Sequence, residues 1–188
     1  MRKMSTLFKK DPNDLGRVIN EINPENEWAF TDGIPTRKFD GTSCAIIGGV
    51  LYKRYDAKKN KKGIKKPIPL GAIACQESDL KSGHHPHWVK CERDDNSNKY
   101  HFIGFDSMVH VVEDGTYELC GKKVQGNPER IQGHILIRHG IHKLSLKDDS
   151  FEYIKQYLTD NDIEGIVFHH RLDDRMCKIR KSDFGIKR

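Results

Sequence analysis

The chain has 188 residues, long enough to bury a substantial core and short for two, so length favours a single domain. Hydrophobic residues make up 36% and charged residues 32%, a polar balance that is still too rich in Ile, Val, Leu, Phe and Tyr for intrinsic disorder. Lys and Arg total 33 against 27 Asp and Glu, a net charge of +6. No stretch approaches the ~20 apolar residues of a membrane helix or the apolar core of a signal peptide, so no membrane partner is expected. The cysteines, Cys44, Cys75, Cys91, Cys120 and Cys177, are odd in number and form no CxxC pair. That pattern argues against a disulfide framework or a four-thiolate zinc site and fits a reducing, cytoplasmic setting.

Residues 1–27 read as a helical leader. Asp11 is placed to cap a helix with Pro12 at its first position, and Leu15, Val18, Ile19 and Ile22 fall on one face before Asn23-Pro24 stops it. Beyond it most segments read as strands joined in hairpins. In "SCAIIGGVLYKRY" the Gly48-Gly49 pair predicts a tight turn with Ile47 facing Val50 and Arg54 opposite Ser43. Between Lys53 and Lys66 the row "KRYDAKKNKKGIKK" holds eight basic residues and one acid, which is either a solvated loop or a field suited to phosphates. "SGHHPHWVKCE" sets His84, His85 and His87 beside Cys91, but the spacing fits no standard zinc site and Trp88 reads as a core or stacking residue.

Asp114-Gly115 predicts a second hairpin turn in "DSMVHVVEDGTYELCG", with Glu118 on its returning strand. Phe151, Ile154 and Leu158 recur at helical spacing behind a Ser/Asp cap in "DDSFEYIKQYLTDND". A third hairpin spans "IEGIVFHHRLDDRMCKIRKSDF". Glu164 shares a face with Lys178 and Arg180 there only if the connecting loop is odd in length or a bulge shifts the register.

Chemistry concentrates at "PTRKFDGTSCAI". A lysine amine is a poor nucleophile because it is protonated at neutral pH, and neighbouring cations or desolvation free its lone pair. In extended backbone Lys38 and Asp40 project to the same side, and Gly41 leaves room for a phosphate to approach the main chain. Alone, Lys-x-Asp-Gly is a common surface turn. It is accompanied in order by "YKRYD" with Arg54, "TYELCGKKVQGNPE" with Glu118, "EGIVFHH" with Glu164 and "MCKIRKSDFG" with Lys178 and Arg180.

That ordered set resembles nucleotidyltransferase motifs I, Ia, III, IV and V of ATP-dependent ligases and mRNA capping enzymes. "IPT.K.DGT", "GH.P.WV", "H.LI.HG" and "EGIV.H" resemble the vertebrate-type 5′-to-3′ RNA ligases, over about Ile34 to Gly185. The resemblance implies an α+β fold with a nucleotidyltransferase (ATP-grasp-like) core: two antiparallel sheets around an ATP cleft, peripheral helices and no OB-fold domain. It implies an ATP-dependent RNA ligase that joins a 5′-phosphate to a 3′-hydroxyl, with ATP and Mg²⁺, or Mn²⁺ in its place. Lys38 would be the nucleophile, and Asp40 and Arg54 would contact the nucleotide. Glu118 would contact the ribose or a metal, Glu164 a metal, and Lys178 the α-phosphate, with Arg180 at the second basic position. Asp40 and Glu77 are further metal candidates, Glu77 also for RNA. Arg37 stands where several members of that family carry an acid. His134, His139 and His142 read as structural.

Overall fold

A computed structural model describes residues 2–58, 63–79, 83–109 and 112–188. Strands β1 (Ser5–Thr6), β2 (Phe8–Lys10) and β3 (Val18–Ile22) precede a 3₁₀ helix at Pro24–Phe30 and β4 (Gly33–Lys38). Next come β5 (Thr42–Ile47), β6 (Val50–Asp56), β7 (Ile73–Ala74) and β8 (Pro86–Lys90). A short 3₁₀ turn leads into α1 (Lys99–Asp106), followed by β9 (Gly115–Gly121) and β10 (His134–Arg138). α2 (Phe151–Asp160), β11 (Gly165–His170) and β12 (Met176–Arg180) lead to a 3₁₀ turn at Lys181–Phe184. The fold is mixed α+β and dominated by sheet. Among the described residues no helix is long and apolar enough to cross a membrane.

The chain divides into two compact units, Met1–Lys3 with Asp40–His139 and Met4–Phe39 with Gly140–Arg188. Each unit has its own cluster of buried hydrophobic residues. In the first unit six strands run β10-β9-β5-β6-β8-β7, every pair antiparallel. One face buries Cys44, Ile46, Leu51, Tyr117 and Leu119. α1 lies close against β9 and β10, where a Cβ on Gly104 would sit 2.9 Å from the Leu119 side chain. In the second unit four strands run β1-β12-β11-β4. β1 pairs with β12 in parallel, so this sheet is mixed rather than wholly antiparallel as expected. Its inner face places Ile166, Phe168, Cys177 and Ile179 in a core with Ile154 and Leu158 of α2.

α2 forms where its periodicity placed it, and the Ser150 side chain accepts from the Tyr153 N–H at 3.3 Å as its cap. The Gly48-Gly49 hairpin also forms, with Ile47 opposite Val50. The helix expected over 11–22 does not. Asp11 and Asp14 instead accept from the backbone of Asn13 at 2.8 Å and Gly16 at 2.9 Å, closing two side-chain turns where a helix cap was expected. Val18 then enters β3, which pairs with β2 through Phe8↔Ile22 and Lys10↔Val18. Of the supposed apolar face, Val18 is buried while Leu15 and Ile22 are exposed; the β-branched residues favour the strand once a partner exists.

The hairpin expected at Asp114-Gly115 is also replaced. β9 pairs with β5 and β10, and no strand covers the described residues on the far side of that turn. The Asp114 carboxylate accepts from the N–H groups of Gly48 at 2.7 Å and Gly49 at 3.1 Å, bracing the neighbouring turn. His110 and Val111 of this segment lie outside the described residues, as do Lys59, Asn60, Lys61 and Lys62 of the basic row and Lys81 and Ser82.

Candidate functional site

Strand alternation builds the second unit's site. In β12, Cys177 and Ile179 turn into the core, so Lys178 and Arg180 face the other way. Cross-strand pairing puts Lys38, Gly165 and Arg180 in one row and Thr36, Val167 and Lys178 in the next. Residues directly opposed share a face, so the nucleophile candidate and both basic residues lie on one polar face. The carboxylate joins them by another route. The β11–β12 ladder is regular, and its last pair, His169↔Met176, encloses residues 170 to 175, an even number. Neither an odd loop nor a bulge is present, contrary to the parity expectation. Glu164 lies one residue before β11 begins, outside the pleat, and its Oε2 is 2.5 Å from Lys38 Nζ.

Gly165 makes this row possible. A Cβ there would lie 2.3 Å from the Ile179 carbonyl oxygen and 2.9 Å from the Arg180 Cα. Gly165→Ala is expected to destabilise the protein by about 1–3 kcal/mol through overpacking and to push Lys38 and Arg180 apart. Urea unfolding and an adenylation assay on the folded fraction check the two effects separately.

Arg180 is fixed from behind. Its guanidinium donates to Asp183 at 3.2 and 3.0 Å, its backbone N–H donates at 2.9 Å, and Lys10 Nζ reaches the same carboxylate at 2.7 Å. Asp183 is fully buried. Burial raises its pKa, but the hydrogen bonds from Arg180 and Lys10 outweigh it and hold the carboxyl below the usual range. Lys178 differs: its Nζ has no hydrogen-bond or ion-pair partner among the described residues. Burial first, then the charges of Arg180 and Lys38, push it down to about 8. The Asp183 and Glu164 carboxylates act on it only at longer range and do not offset the burial; a half-buried ammonium with no hydrogen-bonded anion among the described residues, near a guanidinium and an amine, is a place for an anion.

In the first unit the face of the six-stranded sheet opposite its core carries the other candidates. Glu118 pairs with Ser43 and Ile137, and Arg54 pairs with Trp88. The β5–β6 ladder ends at Cys44↔Lys53, one residue short of the expected Ser43–Arg54 pair. Glu118 is buried; its Oε1 accepts from Gly41 N–H at 3.1 Å, and His139 Nε2 lies 2.9 Å from its Oε2. Arg54 stacks over the Trp88 ring at 5.2 Å and donates to Cys75 Sγ at 3.7 Å; burial lowers its pKa. Gly41 is a glycine for a different reason from the one expected. A Cβ there would sit 2.2 Å from the Leu119 carbonyl oxygen, so the close approach is by β9.

No family model matches the chain, and no curated protein does.

One expectation is not met by the geometry. β4 ends at Lys38, so strand alternation does not extend to Asp40, whose N–H donates to Glu129 at 3.0 Å. Glu77 is exposed and lies in a loop. Among the described residues no three His, Cys, Asp or Glu side chains form a metal-binding group, so Asp40, Glu77, Glu118 and Glu164 do not make an all-protein cage. The donor set suits Mg²⁺ that arrives on a nucleotide and takes most ligands from phosphate and water, with at most one or two carboxylates. His84 Nδ1 is hydrogen-bonded to the Asp56 carboxylate, which also accepts from His85 N–H at 2.9 Å, so the histidine segment is a folded turn.

Sequence reasoning left out Asp183 and Glu129 and took His139 as merely structural. Asp183 carried a signal, a carboxylate three residues beyond Arg180 at a helix start. His139 stands in the "H.LI.HG" motif, but nothing in the sequence pairs it with Glu118, because the β9–β10 pairing is what brings the two together.

Proposed function

We propose that this chain is an ATP-dependent RNA ligase of the lysyl-adenylate nucleotidyltransferase kind. The observation that carries it is the single sheet face that holds Lys38, Lys178 and Arg180, with Glu164 on the Lys38 amine. Lys38 Nζ forms a bond to the α-phosphorus of magnesium-bound ATP as the bond to the bridging oxygen breaks, and pyrophosphate leaves with that electron pair. Attack needs the Nζ lone pair, and Glu164, already in contact, is the group placed to take the proton. Lys178 and Arg180 neutralise the charge that grows on the phosphate oxygens. Arg180 is held in orientation by Asp183, and among the described residues Lys178 has no hydrogen-bonded anion to give up.

AMP then passes to an RNA 5′-phosphate, and a 3′-hydroxyl displaces it to seal the strand. Arg54 and Glu118, in the other unit, are assigned nucleotide contacts by the motif resemblance. The half-buried Arg54 guanidinium and the anchored Glu118 carboxylate are chemically suited to them.

The test is to supply magnesium, ATP and a nicked RNA carrying a 5′-phosphate. A joined phosphodiester product that requires the 3′-hydroxyl is the expected result. AMP uptake without joining points to a self-adenylating transferase with another acceptor. Salt-sensitive RNA binding without AMP uptake points to a non-catalytic basic module.

A further inference from the structure

We infer that His139 is a positioning residue for Glu118, holding that carboxylate toward a ribose hydroxyl of the nucleotide. This role rests on the ligase function proposed above and gives a task to a residue for which the motif resemblance states none.

The Glu118 carboxylate only accepts, so His139 donates to it from Nε2. His139 Nε2 lies 2.9 Å from Glu118 Oε2, while its Nδ1 lies 3.0 Å from Thr116 Oγ1. Both contacts are satisfied at once when Nε2–H donates to the carboxylate and the Thr116 hydroxyl donates to Nδ1. The ring is also tied through the main chain, since His139 N–H donates to the Thr116 carbonyl at 3.0 Å. β9 and β10 are locked beside it by Arg138↔Tyr117. Thr116 and Glu118, two residues apart on β9, project from the same face, which lets one imidazole bridge them.

Glu118 is thereby gripped at both oxygens, by Gly41 N–H on Oε1 and by His139 on Oε2. Each oxygen keeps one lone pair, and the carboxylate cannot rotate without breaking a contact. Gly41 is itself confined, because a Cβ would collide with β9. A carboxylate fixed in this way is a directional acceptor. That suits it to select a hydroxyl by position, and the discrimination is lost when the acceptor swings free.

Lys38-AMP formation is measured with ATP, 2′-deoxy-ATP and 3′-deoxy-ATP for the wild type, His139→Ala, His139→Gln, Thr116→Val and Glu118→Ala. The wild type should prefer ATP over at least one deoxy analogue. His139→Ala should lose about tenfold in kcat/KM for ATP and much less for that analogue, so that the preference falls toward that of Glu118→Ala. His139→Gln, whose amide can still donate, should recover most of it. Thr116→Val, which leaves Glu118 and the ring in place, should show a smaller loss of the same kind.

Equal losses on ATP and the analogue, or an unchanged preference in both His139→Ala and Thr116→Val, would overturn the positioning role and leave the ligase function standing. A wild type indifferent to both ribose hydroxyls would also overturn it. A wild type that takes up no AMP removes the ligase function and this role together.

Discussion

Replacing Lys38 with alanine should abolish AMP uptake, a loss of more than about 10³-fold, because no other group supplies the bond to phosphorus. Arginine at this position should be equally inactive, since a guanidinium stays protonated and offers no lone pair. The fold should survive both changes. Lys38 is the last residue of β4 and faces away from the core of its unit, and its ion pair with Glu164 is partly solvated, at 19% and 20% side-chain exposure. Such a pair contributes about 1 kcal/mol or less. Urea unfolding of the variants should therefore stay close to the wild type while the adduct disappears. A Lys38→Ala protein that still takes up AMP would exclude this residue as nucleophile.

Lys178→Met should move activity and stability in opposite directions. Adenylation is expected to fall about 10²-fold, the usual cost of deleting one preorganised donor to a developing oxyanion. Stability should rise by about 1 kcal/mol, because an unpaired, half-buried ammonium beside Arg180 and Lys38 is replaced by an apolar chain of similar length. The pH dependence gives an independent check. The Lys178 pKa falls from its ordinary 10.5 to about 8 in the folded chain. Between those values the unfolded chain binds more protons than the folded one, so this group makes unfolding free energy rise with pH there. Its destabilising effect is complete below pH 8. The gain on raising the pH should be present in the wild type and absent in Lys178→Met, as measured by urea unfolding at several pH values. A variant that is less active and also less stable would mean that Lys178 is there to hold the fold.

Much of the second unit is legible in the sequence. The alternation of Cys177 and Ile179 with Lys178 and Arg180 is a period-2 pattern that a half-buried strand imposes. Ser150 ahead of Phe151, Ile154 and Leu158 is a capped amphipathic helix. The failures share a cause, which is that a partner distant in sequence decides the outcome. Val18 and Ile22 fit a helical face and a strand equally well, and pairing with Phe8–Lys10 selects the strand. α1 was missed because Gly104 weakens its helical signal; the glycine is required because Leu119 and Leu136 pack where a side chain would be. Glu164 defeated the parity rule because it stands just outside the ladder whose pleat that rule describes. His139 meets Glu118 through the pairing of β9 with β10, which its neighbours in sequence do not encode.

The central claim, that Lys38 is a nucleophile toward ATP, is tested most directly by locating the adduct. The wild-type protein is first stripped with pyrophosphate, then incubated with ATP and Mg²⁺, and its mass is measured intact and after proteolysis. One AMP per chain, confined to the peptide that contains Lys38 and removed again by pyrophosphate, is the predicted result. A stripped protein whose mass does not change, or an AMP carried on a peptide without Lys38, would contradict it.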